Sequence, residues 1–167
     1  MSLAYLNGKL VRANEAVVPV YDAGYVLGTA VAEQLRTFGG RLFRLEPHLA
    51  RLEHSLEIVG VDLGLSVAEL GEAAADLAAR NHALLDPSDD LGLSMAVWPG
   101  PYSTMAAMVG ADAHRGPMIC MHTYPLALHL RADKYRTGQS LVVTDIQHLH
   151  LPPRRRARFA APGKDPQ

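Results

Sequence analysis

Apolar and polar residues alternate along the chain in two different rhythms. Tyr5-Leu6-Asn7-Gly8-Lys9-Leu10-Val11 places an Asn-Gly pair between apolar residues. That is the pattern of a β-hairpin closed by a type I′ turn, whose two central residues take positive φ. Val17 to Val20 predicts a short edge strand, with Pro19 limiting its pairing. Tyr21-Asp22-Ala23-Gly24 predicts a loop. Ala30 to Phe38 reads as a strand from its β-branched and aromatic ends, Gly39-Gly40 as the next hairpin turn, and Arg41 to Leu45 as the return.

The rhythm then changes to a helical one. Pro47 suits a first helical position, so a helix is expected from Glu46-Pro47. Leu49, Leu52, Leu56 and Val59 recur at helical spacing and predict one buried stripe, with Gly60 near the end. Ser66-Val67-Ala68-Glu69 is a capping-box pattern, and the Ala-rich run behind it predicts a second helix to about Leu85. Asp86 to Asp90 is a polar break. Leu91 to Trp98 predicts a buried strand closed by Pro99-Gly100-Pro101, and residues 102–116 a long loop. Pro117 to Tyr124 predicts a strand, Leu126 to Tyr135 a short helix, and Ser140 to Ile146 a last, Val-rich strand. Hairpins followed by two helices and further strands predict an α+β fold: a mostly antiparallel sheet with two helices packed on it.

Composition sharpens this picture only in places. With 167 residues, 49% hydrophobic and 20% charged, the chain is long enough for one domain with its own core. The net charge of -1 gives no bias toward nucleic acid or membrane surfaces. Cys120 is the sole cysteine, which offers no internal disulfide and fits a reducing, cytoplasmic setting. No stretch approaches the ~18 apolar residues of a membrane helix, and Met1 to Val11 lacks the build of a secretory signal. After His150 the sequence turns to LPPRRRARFAAPGKDPQ, with no period and little to bury. The expected organisation is a small α+β domain over 1–138, a strand and linking segment over 139–150, and a disordered basic tail over 151–167.

The residues from Tyr5 to Val61 resemble the fold-type IV pyridoxal-phosphate enzymes, which include branched-chain aminotransferase, D-amino-acid aminotransferase and aminodeoxychorismate lyase. The resemblance rests on the Asn-Gly hairpin, on Gly24-Tyr25-Val26-Leu27-Gly28-Thr29-Ala30-Val31-Ala32-Glu33, and on an H-x-x-R-L-x-x-S pattern. That pattern stands here as His48-Leu49-Ala50-Arg51-Leu52-Glu53-His54-Ser55. The resemblance implies the N-terminal domain of a class IV aminotransferase, with pyridoxal 5'-phosphate as cofactor, an amino acid as substrate and a homodimer as assembly. It implies that Arg51 holds the cofactor phosphate. A guanidinium stays charged and offers a fork to a phosphate dianion. The bland alternative pairs Arg51 with a helix carboxylate such as Glu46 or Glu53. The family lines its substrate pocket with an aromatic residue just before the strand glutamate, and here that position is Ala32. Tyr25 lies in the loop that borders the pocket in the family, and packing competes with that role. Glu33 and Arg36 are expected to be ion-pair members rather than catalytic groups.

Such enzymes hold the cofactor through a lysine amine. The resemblance places that lysine soon after the strand ending at Asp145-Ile146, yet Gln147 to Pro162 contains none. The chain's lysines are Lys9, Lys134 and Lys164, and only Lys164 follows Asp145. The expectation is therefore a truncated member without the second domain, arising from a frame change near Leu151, and inactive alone. No catalytic residue is assigned. His148 and His150 share a strand face by parity, but with Asp145 as the single further ligand at metal spacing they predict solvated histidines rather than a metal site. Arg154, Arg155, Arg156 and Arg158 form a cluster that would touch phosphates of a nucleic acid, or be plainly solvated. A lyase, a non-catalytic dimerisation module built on the strand edge at 140–146, and a basic-tailed nucleic-acid binder remain as alternatives.

Overall fold

The computed structural model describes residues 1–102, 104 and 114–145. The expectations for His148 and His150, for the arginine cluster, for Lys164 and for the tail lie outside them, as does most of the loop over 102–116.

Six strands form one sheet: β1 (Leu3–Leu6), β2 (Lys9–Arg12), β3 (Val31–Phe38), β4 (Arg41–Leu42), β5 (Leu91–Trp98) and β6 (Met118–Pro125). Their order is β2-β1-β6-β5-β3-β4, and every pairing is antiparallel. Asn7 and Gly8 both take positive φ in the first hairpin turn, as a type I′ turn requires. Two helices, α2 (Leu45–Val59) and α3 (Val67–His82), cover one face. Leu52, Leu56, Leu70, Ala74 and Leu77 from the helices meet Leu35, Leu93, Met95, Val97, Ile119 and Met121 from the strands. Asn81 pins α3 to the sheet. Its amide accepts from Leu3 N at 2.8 Å and donates to Leu3 O and Thr123 Oγ1, both at 2.8 Å.

The helix boundaries follow local chemistry. The capping box at Ser66 and Glu69 forms in full. Gly60 ends α2 in the left-handed region. Pro47 sits third in α2 rather than first, which costs nothing because the first turn's N–H groups lack helical partners anyway. The helix α3 stops at His82, short of Leu85. The return after Gly39-Gly40 is only Arg41–Leu42, because the chain turns at Arg44 into α2.

Three expectations fail. Val17 to Val20 is not a strand: Val17 and Val20 stay exposed, and Asp22 N bonds back to Pro19 O, which bends the segment. Tyr21 to Leu27 is not a plain loop. Asp22 caps a short helix, α1 (Ala23–Leu27), by accepting from Gly24 N at 2.7 Å. Burial pushes the Asp22 carboxyl above the ordinary aspartate value, which hydrogen bonds from Gly24 and Gly100 and the nearby His114 only partly offset. Ser140 to Asp145 forms no strand, and Leu141, Val142 and Val143 are exposed, because among the described residues no neighbouring strand offers them a ladder. Leu126 to Tyr135 resolves into a 3-10 turn (Leu128–Arg131) and a one-turn helix, α4 (Lys134–Thr137).

Candidate functional site

The pleat of β3 sorts its side chains by parity. Glu33, Leu35 and Thr37 point into the helix-covered face, while Ala32 and Gln34 stand on the other. Glu33 is thus a carboxylate at 5% exposure beneath α2. His48 and Arg51 lie three residues apart on α2, so both reach one spot. Arg51 Nε donates to Glu33 Oε1 at 2.6 Å, and Arg51 Nη2 donates to Glu33 Oε2. His48 Nδ1 stands 2.8 Å from that same Oε2. A carboxylate only accepts, so Nδ1 carries the proton and donates. Arg51 Nη2 lies 3.1 Å from His48 Nδ1, and both donors converge on one oxygen.

The electrostatics follow from this wrapping. Burial drives the Glu33 carboxyl up, but hydrogen bonds from Arg51 and His48, with their charges, outweigh it and hold the group below the ordinary glutamate value. Hydrogen bonding to Glu33 holds the Arg51 guanidinium above its ordinary value, with their mutual attraction adding to it. The acid is Glu33 rather than Glu46 or Glu53. Sequence spacing favoured a partner on the same helix, whereas the crossing of α2 over β3 supplied one 18 residues away. The Arg51 side chain is still 63% exposed. Its Nε–Nη2 edge is spent on Glu33, and among the described residues Nη1 is not part of that pair.

Ala32 sits on the uncovered face, opposite Ala96 of β5. The same face carries a polar network: Gln34 Nε2 donates to Ser94 Oγ at 3.0 Å, and Tyr124 Oη donates to Gln34 Oε1 at 3.0 Å. Tyr124 lies over Gly92, where a Cβ would come within 2.3 Å of its ring. Tyr25 is exposed on α1. That helix is docked at the Trp98 end of β5 by Ala23 N bonding to Gly100 O at 2.8 Å and by Gly24 seated against the Trp98 ring. Because Val31 pairs with Val97, this is also the end where β3 begins. Arg51, Ala32 and Tyr25 therefore gather toward one end of the sheet, though Ala32 and the Glu33–Arg51 pair face opposite sides of it. Sequence reasoning gave no role to His48 or to the Gln34–Ser94–Tyr124 network. The i, i+3 spacing of His48 and Arg51 was the available signal for the first, whereas the second arises only from strand register.

Arg36 belongs to a separate cluster. It donates to Asp90 Oδ2 at 3.3 Å and lies 4.0 Å over the Phe38 ring. An open cleft of about 510 Å³ runs from Arg36 and Phe38 to Leu128, His129 and Tyr135, but its cation is already neutralised. Among the described residues no three His, Cys, Asp or Glu side chains gather as a metal site.

No family model matches the chain. A D-alanine aminotransferase from Bacillus licheniformis is 40% identical over 120 residues, covering 72% of this chain and 40% of that protein. In fold, the branched-chain amino acid aminotransferase of Escherichia coli superposes with a TM-score of 0.64 at 24% identity, over 79% of this chain and 42% of that one. A hypothetical aminotransferase from Mycobacterium tuberculosis, in its PLP-bound form, superposes with a TM-score of 0.62 at 17% identity, over 80% and 43%. The chain spans between 29% and 40% of the length of such curated relatives. In sequence this chain is similar to part of D-alanine aminotransferase, and its α+β fold matches that of the N-terminal domain of class IV aminotransferases.

Proposed function

We propose that the chain forms the N-terminal wall of a pyridoxal-phosphate site used for amino-group transfer on an amino acid, with Arg51 holding the phosphate. One observation carries this reading: Arg51 is gripped on one edge by a buried acid and left open on the other, inside the His48 to Ser55 motif. The donor set fits a phosphate ester, since a guanidinium end outside the pair can meet two phosphate oxygens at once. When bound, the cofactor would supply an electron sink for the bonds at the amino acid's Cα. Arg51 would contribute charge and a fork. Ala32 would leave room at the head of β3 where the family has an aromatic ring, and Tyr25 would border that space.

The fit ends at the phosphate. Lys9 stands on β2, four strands from β3 and so roughly 19 Å away across the sheet. Lys134 is on α4, and among the described residues no lysine joins the Glu33, His48 and Arg51 cluster. The described residues thus bring no amine to the cluster for covalent capture, and the chain by itself is proposed to bind the cofactor without turnover. The organisation into a domain over 1–138, a link over 139–150 and a basic tail over 151–167 belongs to the same proposal, as does a cytoplasmic location. No described helix is long and apolar enough to cross a membrane. Self-association as a homodimer is supported by the exposed apolar run Leu141-Val142-Val143.

Titrating the purified chain with pyridoxal phosphate tests the reading. A bound-cofactor absorbance band that dialysis removes and borohydride does not fix is expected, with affinity falling about tenfold or more in Arg51→Ala. Equal affinity in the variant would sink the assignment of Arg51.

A further inference from the structure

Resting on the reading of Arg51 as the phosphate anchor, we propose that Glu33 is its positioning residue: the buried carboxylate fixes one edge of the guanidinium so that the other is presented, already ordered, to a phosphate ester. An arginine at 63% exposure would otherwise sample many rotamers, and a ligand would have to freeze them on binding. Here folding has done that in advance. Both Glu33 oxygens are occupied, Oε1 by Arg51 Nε at 2.6 Å and Oε2 by Arg51 Nη2 and by His48 Nδ1 at 2.8 Å. Three donors thus converge on a carboxylate that has about four acceptor positions, which commits it to Arg51 and His48. The Glu33 backbone is fixed by the pairing of β3 with β5 at Glu33–Met95, its side chain is only 5% exposed, and Leu52, next to Arg51, is fully buried.

The geometry selects which edge is offered. The side-on pair consumes Nε and one N–H of Nη2. The Nη1 end remains, and a phosphate meeting that end would not have to displace Glu33. His48 braces the arrangement from the preceding turn of α2 by holding Oε2 in place. Glu33 is therefore an orienting partner rather than a competitor for the same N–H groups.

The test compares pyridoxine 5'-phosphate with pyridoxine on the full chain. Neither carries an aldehyde, so lysine capture plays no part, and the ratio of the two affinities isolates the contribution of the phosphate. In wild type the phosphorylated ligand should bind more tightly, and in Arg51→Ala that preference should vanish. Glu33→Gln, which keeps size but breaks the two-point grip, should lose roughly tenfold of the preference while pyridoxine binding stays the same. Glu33→Asp, which keeps the charge but withdraws it by one methylene, should fall in between, and it carries the test alone if Glu33→Gln does not fold. A preference unchanged or increased in both Glu33 variants, with Arg51→Ala still abolishing it, overturns the positioning role and leaves the anchor standing. A preference that survives Arg51→Ala overturns the anchor, and the positioning role with it.

Discussion

Two arginine–carboxylate pairs flank β3, and they are built in opposite ways. At one end the acid is buried and the base is not: Glu33 is 5% exposed and Arg51 63%. At the other end Asp90 is 12% exposed and Arg36 31%, so both partners are partly withdrawn from water. Arg36 spends its fork internally, on Asp90, on the Thr37 carbonyl at 3.1 Å and on the face of Phe38. Asp90 in turn is held by Thr37 Oγ1 at 2.8 Å, and that hydroxyl also accepts from Leu91 N at 2.8 Å. The second cluster therefore staples the start of β5 to the end of β3. The first leaves one guanidinium end outside the pair. An arginine in an ion pair is thus no argument against ligand binding, because what matters is which of its N–H groups the pair consumes.

The largest effect that would break this contrast is on the seat of α2. Leu52→Ala empties a fully buried site beside Arg51 and should cost about 3 kcal/mol in denaturant unfolding. It should damage the Glu33–Arg51 pair while leaving the Arg36–Asp90 pair intact. Thr37→Val is the converse cut. It strands the Leu91 N–H and one Asp90 oxygen in the interior and should cost about 2 kcal/mol, with phosphate preference unaltered. A loss of phosphate preference in Thr37→Val would show that the two ends are coupled and the contrast drawn too sharply.

The smallest effect is the pH profile. Burial raises both carboxyls, but the hydrogen bonds and charges around each win, so Glu33 and Asp90 titrate below their ordinary values. A carboxyl lowered in the folded state stabilises the fold above its unfolded value, and that contribution is lost as pH falls through the folded value. Unfolding midpoints should therefore decline as pH drops below about 4.5, the ordinary glutamate value. In Arg51→Ala the Glu33 part of that decline should shrink, because burial alone would raise its carboxyl. Identical acid limbs in wild type and Arg51→Ala would remove Arg51 as the cause of the lowered value.

Much of the architecture was legible without coordinates, and the reasons are local. The Asn7-Gly8 turn, the Ser66–Glu69 capping box, the Leu52 and Leu56 stripe and the Gly60 stop depend on residues within a few positions of one another. The failures were also instructive. Val17 to Val20 and Ser140 to Asp145 carry β-branched residues, but strand propensity becomes a strand only beside a partner, and the described residues supply none there. Asp22 followed by Ala-Gly was a cap signal that the Pro19-to-Gly24 composition obscured.

For the site the division is sharper. Resemblance to the H-x-x-R-L pattern singled out Arg51 as the candidate phosphate anchor, and helical spacing carried His48 to the same face. Which acid they would meet depended on where α2 crosses β3, a matter of how Leu52 and Leu56 pack on Leu35 and Met95. Short-range chemistry names the groups, because caps, turns and periodicity act over a few residues. Only the packed sheet and helices bring Glu33 beneath Arg51, because a pairing across 18 residues is set by burial of the apolar side chains around it and not by its own spacing.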